Sequence, residues 1–203
     1  MRPTVQLSAL AALVLSVAPV AGAQSAQRWS LQVSGISVGV QGEAYDGLSN
    51  GVGIEGQVRL TPSVWSFGAG FQYSTHKLQD ASDETVNLAG IFIEPRRILD
   101  VGSSTFAPYV SGRLSFLQQS IEVDVSGTKI SATASGAQIN GGGGVLFRLS
   151  PKVNLDVGAT YGLINFGEVQ VTIPGVGTSP VNGTSGSGTN LVVRVGLAIG
   201  LGK

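Results

Sequence analysis

The segment that most constrains this chain is its last thirteen residues, Leu191 to Lys203, which alternate without interruption. Leu191, Val193, Val195, Leu197, Ile199 and Leu201 share one parity. Val192, Arg194, Gly196, Ala198, Gly200 and Gly202 share the other. A period of two is the signature of a β-strand, because successive side chains point to opposite faces. The bulky face is longer and more apolar than a soluble sheet edge tolerates. A membrane-spanning strand accounts for both faces, with the apolar row against lipid and the small or polar row toward a lumen.

The N-terminus agrees with export. One arginine precedes an apolar run from Leu7 to Val20, and Ala21-Gly22-Ala23 follows. A positive start, a short apolar core and a small-x-small cleavage site predict a signal peptide over residues 1–23, with the mature domain over 24–203. The chain has no cysteine, which excludes disulfides and a lipid-modified cysteine. Charged residues are only 12% of the whole, about half the proportion of ordinary soluble domains. Formal net charge is zero, so nothing points to nucleic acid as a partner.

The period-two reading predicts eight strands: 29–40, 51–60, 64–76, 85–98, 107–119, 137–149, 153–164 and the last one. Trp65, Phe67, Ala69, Phe71 and Tyr73 oppose Ser66, Gly68, Gly70, Gln72, Ser74 and His76 in the third. In the first strand the parity of the apolar residues switches at Ser34-Gly35, which predicts a bulge there. The fourth is ambiguous, since Ile91-Phe92-Ile93 is apolar on both faces. Connections at Thr61-Pro62-Ser63 and Ser150-Pro151-Lys152 are tight turns. Those after the third, fifth and seventh strands are long and polar, and Gly175 to Asn190 reads as a flexible loop. Short–long alternation separates an inner rim of turns from an outer rim of loops. The predicted fold is an eight-stranded antiparallel transmembrane up-and-down β-barrel.

Aromatic residues sort by height under this assignment. Trp65 and Tyr73 lie about 20 Å apart along the membrane normal, near the apolar band of about 25 Å. Trp29 and Phe147 join Trp65 near the inner rim, and Phe116 and Tyr161 join Tyr73 near the outer one, giving two girdles.

With segments such as Ile91-Phe-Ile-Glu-Pro-Arg-Arg97 and Leu149-Ser-Pro-Lys-Val-Asn-Leu-Asp-Val-Gly-Ala-Thr-Tyr161, the chain resembles small outer-membrane barrels of the OmpA/OmpX type, the outer membrane β-barrel domain group. The resemblance implies a monomer in outer-membrane lipid, inserted by the barrel-assembly machinery. Members of that group close on a C-terminal aromatic residue, whereas this chain reads Leu201-Gly202-Lys203. The anchoring role of members with a peptidoglycan-binding tail is not expected here.

The lumen parity carries Glu55, Arg59, Arg113, Arg148, Asp156 and Arg194. Charges inside so narrow a barrel must pair or meet water, which predicts an ion-pair plug. Arg148 and Asp156 are expected as diagonal neighbours across the Ser150-Pro151-Lys152 turn. A polar pore is the alternative, because Gly68, Gly70, Gly142, Gly144, Gly158, Gly196 and Gly200 leave room for water. His76, the single histidine, lies two residues after Ser74 with Asp80 and Glu84 nearby, a weak form of a Ser–His–acid lipid hydrolase. A solvated rim histidine is the plainer reading, and no catalytic residue is assigned. Asp80, Asp83 and Glu84 form a solvated acidic loop rather than a calcium site. Gly141 to Gly144 lacks the Lys-Ser/Thr of a phosphate loop. No metal and no cofactor is expected. The functional expectation is a structural or surface-interaction barrel acting through its outer loops. The alternatives are a narrow pore, a rim enzyme or a soluble lipocalin-like binder.

Overall fold

The computed structural model describes residues 28–79, 84–125 and 128–202. The proposed signal peptide, Asp80 and Asp83 fall outside these residues. The strands are β1 (Trp29–Gln41), β2 (Gly51–Leu60), β3 (Trp65–Lys77), β4 (Thr85–Ile98), β5 (Phe106–Val125), β6 (Thr128–Arg148), β7 (Val153–Phe166), β8 (Val169–Ile173), β9 (Gly177–Val181) and β10 (Gly186–Leu201). All pairings are antiparallel. β1 through β7 run up and down in order, β5 pairs with β6, and β10 joins β7 to β1, so the wall closes on eight strands. Closure leaves no free sheet edge in the wall, the condition for a β-structure in hydrocarbon.

Period-two patterning produces this wall because one parity meets lipid and the other packs inside. Leu191, Val193, Val195, Leu197 and Ile199 are exposed on the outer surface, while Val192, Arg194 and Ala198 are buried within. β1 departs from its predicted form. Its register runs unbroken against β2 and β10 from Trp29 onward, without a bulge at Ser34-Gly35. Ile36, Val38 and Val40 therefore point into the barrel and are buried there. Their apolar character serves an internal layer, not the lipid.

Two of the long outer connections, those after the fifth and seventh predicted strands, are more ordered than their composition predicts. β5 and β6 form a hairpin of 20- and 21-residue strands. A strand of 20 residues at about 3.3 Å each spans about 66 Å, well beyond an apolar band of about 25 Å even when tilted. The segment read as a flexible loop contains β9 and the first part of β10, and β8 pairs with β6 through Ser131↔Thr172 to Thr133↔Gln170. The barrel thus continues outward as a four-stranded sheet, β5-β6-β8-β9.

Candidate functional site: a filled lumen

The interior is packed in layers. At the outer end Ile36, Val38, Val40, Val86, Leu88, Leu117, Ile164, Phe166 and Val192 form an apolar cluster, closed from above by Tyr45 and Leu48 of the first outer connection. Tyr45 lies edge-on to Phe166 with ring centroids 6.0 Å apart. At the inner end Ile98, Ala107, Tyr109 and Leu146 form a second cluster. Between them lies the charged layer.

Glu94 is the hub of that layer. Its carboxylate is fully buried and meets four guanidinium groups: Arg96, Arg113 at 2.5 Å, Arg194 at 2.7 Å and Arg59 at 3.5 Å. Glu55 accepts from Arg113 at 2.6 Å. Asp156 accepts from Arg96 at 2.8 Å, from the Tyr109 hydroxyl at 2.7 Å and from the Gln32 amide at 2.7 Å. The Arg113 guanidinium also stacks over Phe92 at 3.9 Å, and that of Arg96 over Tyr109 at 4.3 Å. A buried ion is tolerable only when such partners replace its water shell.

Glycines on the lumen face make this reach possible. Across the wall, Arg59 pairs with Gly68, which pairs with Glu94. A side chain at Gly68 would collide with the Arg59 guanidinium. Without one, Arg59 passes over β3 and donates to the Glu94 carbonyl at 3.2 Å. The row Tyr109, Gly144, Gly158, Arg194 works likewise, with the Tyr109 hydroxyl lying over both glycines on its way to Asp156. Asn140 and Asn190 meet across Gly162 at 2.9 Å. Small residues therefore alternate with long ones around the circumference, as the taper of a small barrel requires. The space expected to hold water at these glycines is occupied by polar side chains from neighbouring strands.

Glu55, Arg59, Arg113, Asp156 and Arg194 are thus brought together, and Arg148 is not. Arg148 pairs with Asn154 at the inner rim, half-buried, with its Nε unpartnered. The register does place it diagonal to Asp156, but both oxygens of Asp156 are already taken, by Tyr109, Arg96 and Gln32. Glu94 and Arg96, the hub and its neighbour on the same strand face, were not among the expected residues. β4 holds Val86, Leu88, Phe92, Glu94, Arg96 and Ile98 inside, and the apolar run Ile91-Phe92-Ile93 hides that parity. The alternation Glu94-Pro95-Arg96 was the available signal. Pro95 has no N–H, and the β4–β5 ladder is interrupted opposite Gly112 and Arg113 without a change of register.

The girdle residues all lie on the outer surface. Trp29, Trp65 and Phe147 sit beside the inner turns, and Tyr73, Phe116 and Tyr161 lie eight to ten residues farther out along their strands. His76 is not at a solvated rim. It is buried, with Nε2 3.1 Å from the Ser74 hydroxyl and Nδ1 3.0 Å from the Ser49 carbonyl. A carbonyl only accepts, so Nδ1 carries the proton and Nε2 accepts from Ser74. The orienting group is backbone, not a carboxylate.

A family model described as outer membrane protein beta-barrel domain matches residues 7–200. The chain belongs to that family. The outer membrane barrel so identified is a bacterial outer-membrane protein, and its fold is shared by solved structures of low sequence identity. Neisserial surface protein A is 19% identical with a TM-score of 0.57, covering 85% of this chain and 97% of its own. A major outer membrane protein from Thermus thermophilus is 13% identical with a TM-score of 0.51, covering 84% and 98%. OprG from Pseudomonas aeruginosa is 10% identical with a TM-score of 0.50, covering 88% and 98%. No curated protein matches the chain in sequence.

Proposed function

We propose that this outer-membrane barrel is a non-conducting scaffold whose work is done at the cell surface by the sheet β5-β6-β8-β9. The observation that carries this reading is the filled lumen: two apolar layers enclose a charged one whose side chains span the interior. Ions crossing it would have to break several buried ion pairs and pass both apolar layers, at a cost of several kcal/mol for each uncompensated charge. The wall continues outward instead, into strands too long to be explained by crossing lipid. The exposed aromatic rows are suited to holding the barrel at the two membrane boundaries, as amphipathic rings favour the headgroup level. The barrel acts as a monomer in lipid, delivered through the periplasm by residues 1–23 and inserted by the barrel-assembly machinery.

The purified protein in planar bilayers should show no discrete conductance steps, and protease applied to intact cells should cut within 167–185 while sparing the barrel. Regular steps from the wild-type protein would revive the pore. Protection of that segment on intact cells would remove the surface role.

A further inference from the structure

The inner part of the lumen contains a cavity of about 30 Å³ whose lining includes Gln32, Arg59, Thr61, Ser66, Arg96 and Ala198. Two of its lining residues are arginines and none is acidic. The charged layer above it is unbalanced. Four guanidinium groups, of Arg59, Arg96, Arg113 and Arg194, face three carboxylates, of Glu55, Glu94 and Asp156. One positive charge is left over.

The excess falls on the cavity side. Arg59 donates to Gln57 Oε1, Ser66 Oγ and the Ser66 and Glu94 carbonyls, all neutral acceptors, and reaches a carboxylate only at 3.5 Å. Arg96 is 1% exposed, and its Nη2 has no hydrogen-bond partner. A buried guanidinium donor left unpaired is costly, and an acceptor seated in the cavity relieves it. Arg148, at the inner rim with an unpartnered Nε, adds positive charge on the approach from the inner side.

We infer that this cavity binds a small monovalent anion, chloride, between Arg59 and Arg96, and that the ion completes the charge balance of the plug. Charge and size together point to a small anion. A cavity of about 30 Å³ admits one or two water-sized species. A chloride ion, little larger than a water molecule, fits that space. The Thr61 and Ser66 hydroxyls line the same space and are hydrogen-bonded to each other at 2.8 Å, which leaves one O–H of the pair as a neutral donor.

The test uses the full-length mature protein in detergent micelles, with sodium chloride compared against sodium gluconate at equal ionic strength. Chloride should raise the midpoint of the heat-induced gel shift by about 3 °C or more, saturably. Bromide-soaked crystals should give an anomalous peak between Arg59 and Arg96. Arg59→Gln should abolish the chloride effect. Ala198→Leu fills the cavity while leaving every charged side chain in place, and should abolish it too, so the inference stays testable if Arg59→Gln fails to fold. Equal midpoints in the two salts, or a chloride effect that survives Ala198→Leu, would overturn the site.

Discussion

Glu94 shows how much a single buried charge can organise. Its carboxylate is shared by four arginines drawn from β2, β4, β5 and β10, so it ties half the wall together. Removing one partner from a buried ionic cluster leaves the others uncompensated and typically costs about 3–5 kcal/mol. Glu94→Gln should therefore lower the unfolding free energy in urea by about that amount. Glu55→Gln should cost less, since Glu55 is approached by Arg113 at 2.6 Å and by Arg194 only at 3.5 Å. His76 belongs to the same class of buried polar supports. His76→Ala leaves the Ser49 carbonyl and the Ser74 hydroxyl without their partner, and about 1–3 kcal/mol should be lost. Phospholipid hydrolysis should be the same for wild type and variant; activity that disappears with the imidazole would instead identify a catalytic histidine.

At the level of elements, β5 and β6 are each two things in one strand. β5 pairs with β4 from Tyr109 out to Ile121 and β6 pairs with β7 from Arg148 out to Gly136, and from there outward the two strands carry a sheet that β8 and β9 extend. In that outer part Ile121 pairs with Ala132 and Val123 with Ile130, and Val171 lies against Ala132, so one face is apolar. Ile121 and Val169 pack against the upper lumen cluster, which couples the sheet to the barrel mouth. The β8–β9 hairpin contributes no strand to the wall. Replacing residues 169–181 by a short Gly-Ser linker should leave the heat-modifiable barrel intact on gels. Failure of that variant to reach the outer membrane would mean that the hairpin is part of the folding unit.

For the whole molecule, sealing is redundant. The upper apolar cluster and the charged layer each close the lumen at a different height, and the lower cluster narrows it beneath them. Leu88→Ala or Ile164→Ala should cost about 2–5 kcal/mol of stability through the cavity each creates, yet neither should open a conducting path. Current steps in either variant would show that the upper cluster alone is the seal.

The faces of the wall were legible from the chain alone because side-chain alternation is a local property. β2, β3, β7 and β10 present to lipid and lumen the residues that their parity predicts. Alternation misleads where the interior is itself apolar. Ile36, Val38 and Val40 looked lipid-facing because greasy residues at the outer end of the lumen carry the same pattern as greasy residues outside it. Ile91-Phe92-Ile93 concealed Glu94 and Arg96 for the same reason. Nor does alternation say which carboxylate meets which guanidinium. That choice depends on register between strands far apart in sequence, and on glycines such as Gly68, which mean empty space to a one-dimensional reading and a passage for Arg59 once β2, β3 and β4 are laid side by side. A closed eight-stranded wall follows from periodicity; a plugged interior, with its ion pairs and its residual positive charge, exists only after closure brings opposite sides of the ring within hydrogen-bonding distance.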